Sequence, residues 1–109
     1  DGRFLGMCGL HRQSSRPQDV EVAWRLAHEH WGHGYATEAG RAWLAYGFET
    51  LGLDRIVSMT DEANTRSLAV MRRLGLTYLE NDVITDNGVT FDSVIYAITR
   101  SQWTEHLGR

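Results

Sequence analysis

Cysteine, proline and long apolar runs are scarce in this 109-residue chain. Cys8 is the only cysteine, so an internal disulfide is excluded and a reducing, cytoplasmic setting is expected. Pro17 is the only proline and stands just after Ser14-Ser15, in a stretch that reads as a loop between two strand-like runs. No apolar run approaches the ~20 residues of a membrane-crossing helix, and the start shows neither the charged nor the apolar region of a secretory signal. A membrane partner is therefore not expected. Lys plus Arg number 11 against 14 Asp plus Glu, a net charge of −3, and the cations are scattered rather than clustered. Nucleic acid is an unexpected partner on that pattern, because a phosphate-tracking surface needs grouped positive charge.

What is present, 42% hydrophobic and 23% charged residues, fits one ordinary folded domain. Asp1-Gly2 reads as a hairpin turn rather than a natural start, which predicts that a segment precedes it. Residues 3–10 read as a strand with small residues at alternate points, and residues 11–19 as a loop. Residues 20–26 read as a second strand, in which alternation separates Val20, Val22 and Trp24 from Glu21, Ala23 and Arg25. Ala36, Gly40, Trp43, Leu44, Gly47, Phe48 and Leu51 recur at helical spacing, and Gly52 closes what reads as one long amphipathic helix. A short β-branched strand over 56–60 follows. Asn64 offers an N-cap to a helix carrying Leu68, Met71 and Leu74, with Arg72 and Arg73 in its last turn and Gly75 as its stop. Residues 76–84 and 89–99 read as strands around the turn Asp86-Asn87-Gly88. The order of elements predicts an α/β fold with a mixed sheet.

The informative segment is His30-Trp31-Gly32-His33-Gly34-Tyr35-Ala36-Thr37-Glu38-Ala39, between a strand and the long helix. Small side chains there let backbone N–H groups approach an anion, and the helix adds about half a positive charge at its N-terminus. A pyrophosphate fits such a place; a purely structural turn is the plainer alternative. The stretch from Trp31 to Ala39 resembles the acyl-CoA loop of the GNAT superfamily of N-acetyltransferases, with Trp31 in the usual Arg/Gln place as in RimJ/RimL-like members. The resemblance continues through Val20-Glu21-Val22-Ala23-Trp24-Arg25-Leu26, which is similar to the family's splayed central strand. It extends through Asn64, Ser67, Met71 and Leu74-Gly75-Leu76, then Asp92, Val94, Tyr96-Ala97 and Trp103.

The resemblance implies a GNAT fold, with a mixed central sheet flanked by helices, and residues 1–109 as a single domain lacking the family's N-terminal strand, two helices and second strand. It implies acetyl-CoA as cosubstrate, held at the pyrophosphate by amides of Trp31, Gly32, His33, Gly34, Tyr35 and Ala36. Backbone groups of Leu26 would pair with the pantetheine arm and Asn64 would reach it, with Arg73 also in the cofactor-binding set. A tyrosine that protonates the leaving thiolate in many members is here Met71, and Ser67 is the RimL-like substitute; its alternative is a capping role beside Asn64. The acceptor would be an amine, a protein N-terminus or a small molecule, and a homodimer is left open.

Glu21 is the candidate general base, since a carboxylate in the central strand can face the acceptor amine; a solvent-facing strand residue is the alternative. Some RimL-like members place a glutamate near the final hairpin, where this chain has Ile84 with Asp82 and Asp86 beside it. His28, Glu29, His30 and His33 invite a metal reading, but the second histidine of a His-Glu-x-x-His helix would fall on Gly32. No metal is expected. Direct attack by the amine needs no nucleophile from Cys8. A lysine-type amine is neutral in roughly one part in 2,500 at pH 7 and an α-amine in roughly one part in 5–10, a difference of about 3.5 kcal/mol. An α-amine acceptor thus asks less of the base.

Overall fold

The computed structural model describes residues 6–12, 19–26, 35–86 and 88–108. Five strands form one sheet in the order β1-β2-β3-β5-β4, with β1 Gly6–Arg12, β2 Val20–Leu26, β3 Arg55–Thr60, β4 Thr77–Asp86 and β5 Val89–Thr99. Only β2 with β3 is parallel; the other three seams are antiparallel, so the sheet is mixed as expected. The first strand ends later than its small-residue pattern indicates, taking in His11 and Arg12, because pairing with β2 continues to Arg12 opposite Val20, while residues 3–5 of the expected strand lie outside the described residues. Pairing likewise carries β4 on to Asp86, opposite Val89. That leaves a two-residue turn in which Gly88 has φ 77°, and Asn87 lies outside the described residues, as does Asp1-Gly2.

Helix α1 spans Tyr35–Ala45, and the helix read as continuous to Leu51 changes character at Tyr46. From Tyr46–Thr50 the turn widens to π geometry, with Leu51 N–H donating to Tyr46 C=O at 3.1 Å. Widening brings Phe48 wholly into the core while Gly47 is pressed onto the sheet. A Cβ at Gly47 would meet Ile56 Cδ1 at 2.6 Å, Leu10 Cδ1 at 3.2 Å and Leu53 Cδ1 at 3.3 Å, so a larger residue requires these side-chain ends to shift. Helix α2, Thr65–Arg73, starts where Asn64 Oδ1 accepts from Ser67 N–H at 3.1 Å, and ends at Gly75, whose φ of 93° suits a residue without Cβ.

A third helix, α3 at Arg100–Leu107, was not read from the sequence. Its signal was there: Thr99 and Gln102 form a reciprocal capping box, the Thr-x-x-Gln spacing of a helix start. Trp103 then stacks near Phe48 with ring centroids 5.2 Å apart. All three helices lie on one face of the sheet. Leu44 and Phe48, then Leu68, Val70, Met71 and Leu74, pack with Val22, Ile56, Val94, Tyr96 and Ile98, and Trp103 closes the edge. Val57, Ile84, Ile95 and Ala97 form a smaller cluster with Met59 on the other face. Among the aromatic residues of this stretch, Phe48 is buried and Trp43 packs against the core, whereas Tyr46 is 45% exposed.

Candidate functional site

The seam between β2 and β3 sets the site. At its lower end the Arg55 guanidinium donates to the Asp19 carboxylate at 2.6 Å, with Asp19 buried, which ties the start of β3 to the residue before β2. Next comes the only register pair of this seam, Glu21 with Val57. One residue further, the Ser58 hydroxyl donates to Val22 C=O at 3.0 Å in the buried interior. Beyond that point a pocket of about 200 Å³ opens between the strands and α2, lined by Glu21, Ala23, Ser58, Met59, Thr60, Asn64, Ser67 and Met71.

Glu21 is thus not a solvent-facing strand residue: it is 6% exposed, and the alternation that separates it from Val22 does not decide whether its face is covered. Ser67 is also buried, and it holds the N3 position of α2 while lining the pocket, so its two readings coincide in one place. Asn64 caps α2 and borders the same pocket. Met71, fully buried, presents a thioether where an ionisable hydroxyl is common in the resembling family.

The backbone of β2 alternates in the direction it faces. Val22 C=O faces β3, and β2 runs without a register shift against β1, so the N–H and C=O of Trp24 and Leu26 fall on the same side. Leu26 therefore has its main chain on the open edge of β2. Tyr35 and Ala36 open α1, whereas Trp31, Gly32, His33 and Gly34 lie outside the described residues, together with His28, Glu29 and His30. Thr37, in the first turn of α1, was not singled out from the sequence; its Oγ1 is buried without a hydrogen-bond partner.

Other candidates stand apart from the pocket. Arg73 is exposed in the last turn of α2, six residues beyond Ser67 and so about 9 Å along the helix. Asp82 pairs with Ser93 on the far side of β5, two strand spacings or about 10 Å from the row of β3. Ile84 is fully buried in the second cluster, and Asp86 ends β4 at the hairpin. Among the described residues no group of three or more His, Cys, Asp and Glu side chains is placed to hold a metal, and no helix is long and apolar enough to cross a membrane.

The mixed sheet, with its one parallel seam opening into a pocket beside α2, can be set beside known proteins. The acetyltransferase (GNAT) domain family matches residues 1–77. The chain belongs to the GNAT acetyltransferase family. Within that family, it is 38% identical over 114 residues to FsC-acetyl coenzyme A-N(2)-transacetylase of Aspergillus fumigatus, covering 94% of this chain and 48% of the relative. It is 33% identical over 107 residues to the putative ribosomal N-acetyltransferase YdaF of Bacillus subtilis, covering 94% of this chain and 57% of that one. A solved structure of a probable acetyltransferase superposes with a TM-score of 0.79 at 31% identity, covering 94% of this chain and 59% of that chain. The GNAT chain thus spans about half the length of the curated relatives it matches.

Proposed function

We propose that this GNAT domain transfers an acetyl group from acetyl-CoA to a primary amine, by direct attack within a ternary complex. The observation that carries the reading is the pocket at the open β2–β3 seam, which gathers a buried carboxylate, Glu21, with Ser67, Asn64 and an unpaired strand edge. Thr37 supports it, since a buried hydroxyl without a partner at a helix N-terminus fits a phosphate oxygen.

In this reading the amides of Trp31, Gly32, His33, Gly34, Tyr35 and Ala36, with Thr37 Oγ1, hold the pyrophosphate, and Arg73 contributes positive charge near the nucleotide. The pantetheine arm lies along the β2 edge at Leu26, near Asn64. Glu21 takes a proton from the acceptor amine, the nitrogen lone pair forms the bond to the thioester carbonyl carbon, and the C–S bond breaks as the tetrahedral adduct collapses. Ser67 protonates the departing thiolate in this reading, since Met71, which lines the same pocket, has no proton to give. A protein N-terminal α-amine, the RimJ/RimL-like acceptor, is preferred on deprotonation cost. A small-molecule amine is the second reading, favoured by the likeness to the N(2)-transacetylase. The setting in this reading is reducing and cytoplasmic. A non-catalytic acyl-CoA-binding module is the rival outcome.

The test measures thiol release from acetyl-CoA with peptide α-amines and lysine-type amines, for wild type and Glu21→Gln, across pH 6 to 10. Loss of the base lowers kcat/KM by about 10²–10⁴ for the high-pKa amine and by less for the α-amine, with partial recovery as pH rises. Equal rates with parallel pH profiles would remove Glu21 from the mechanism. Absence of any rise in melting temperature with acetyl-CoA would remove the cosubstrate itself, since a ligand of the folded state must stabilise it.

A further inference from the structure

Strand β3 has the means to continue pairing with β2 but does not. Its opposite edge runs in register with β5 from Arg55 through Thr60, so Met59 and Thr60 are in regular extended geometry where the β2 seam has already stopped. In a parallel ladder carried on from Glu21 and Val57, Val22 C=O would accept from Met59 N–H. That carbonyl accepts from Ser58 Oγ instead, at 3.0 Å, with Val22 and Ser58 both almost wholly buried.

A buried carbonyl must find a donor, and here two compete: a backbone N–H that would close the seam, and a hydroxyl that leaves it open. We propose that Ser58 is a positioning residue whose hydroxyl ends the β2–β3 ladder after one pair and holds open the slot that takes acetyl-CoA. The occupant rests on the function proposed above; the ladder-ending role rests on the hydrogen bond alone. With Val22 C=O satisfied by a side chain, Met59 N–H and the main chain of Trp24 and Leu26 stay turned toward the pocket. Without the hydroxyl, the orphaned carbonyl draws Met59 N–H across and the slot narrows.

Ser58→Val and Ser58→Thr separate the hydroxyl from side-chain shape, because the two replacements are nearly the same size and only threonine donates. Amide exchange at Met59 is read by NMR and acetyl-CoA affinity by calorimetry. Ser58→Thr keeps wild-type values, while Ser58→Val slows exchange at Met59 about tenfold and weakens acetyl-CoA binding by about threefold to tenfold. Should Ser58→Val not fold, Ser58→Ala gives the same comparison without added bulk. Equal Met59 exchange in the hydroxyl-free and threonine variants overturns the proposal. An exchange difference between the variants, with no acetyl-CoA binding by the wild type, leaves the ladder role standing and overturns the slot's occupant.

Discussion

Along its β5 edge, strand β3 pairs from Arg55 with Thr99 through Thr60 with Val94, while along its β2 edge the same strand pairs only at Val57 with Glu21. One backbone therefore carries a closed seam and an open one. The closed seam spends every inward-facing residue on packing, with Ile95, Ala97, Val94, Tyr96 and Ile98 all buried. The open seam keeps its polar groups instead: Glu21, Ser58, Asn64 and Ser67 line the gap. Apolar packing and polar lining are thus divided between two edges about 5 Å apart across a single strand. The division also explains why Asp19 and Arg55 are tied below the gap, where an ion pair fixes the strands without entering the pocket.

The strongest test of that division acts on the closed side. Ile95→Ala removes a fully buried side chain from the smaller cluster and lowers unfolding stability by about 2–5 kcal/mol in urea titrations. Acetyl-CoA affinity of the folded fraction stays within about a factor of two if the two edges are independent. A parallel collapse of affinity would show that the seams are mechanically one.

Arg55→Ala attacks the lower tie. It strips the buried Asp19 carboxylate of its guanidinium partner and costs about 1–2 kcal/mol, a figure held down because Arg55 is itself 38% exposed. Its affinity loss for acetyl-CoA exceeds that of Ile95→Ala if the tie sets the splay of the strands, which calorimetry on the two variants decides.

The smallest effect belongs to Asn64. Asn64→Ala removes the cap on Ser67 N–H and costs about 1 kcal/mol. Asn64→Asp keeps an oxygen for that N–H but loses the side-chain amide donor. Wild-type stability with weakened acetyl-CoA binding in Asn64→Asp would assign the amide to the pantetheine arm, and wild-type behaviour in both measurements would confine Asn64 to capping.

Local chemistry determined much of this molecule. Asn64 and Gly75 bracket α2 because a side-chain oxygen and a positive φ act within one turn. Gly88 lies in the two-residue turn between Asp86 and Val89 because tight hairpins need left-handed backbone there. The Thr99 and Gln102 capping box was legible in the same way, though α3 went unread without a strong apolar stripe to draw attention to it. Alternation separated Glu21 from Val22, Glu21 stood out as the carboxylate within its strand, and Asn64 and Ser67 became site candidates through the resemblance to the family. Whether both faces of β2 are covered was decided only in three dimensions, because period two says which residues share a face and nothing about what packs on it. The close approach of Gly47 to Ile56 and Leu10, beside the π turn at Tyr46–Thr50, likewise belongs to the tertiary packing. The early end of the β2–β3 ladder depends on a hydroxyl and a carbonyl 36 positions apart, a contact that no local pattern encodes.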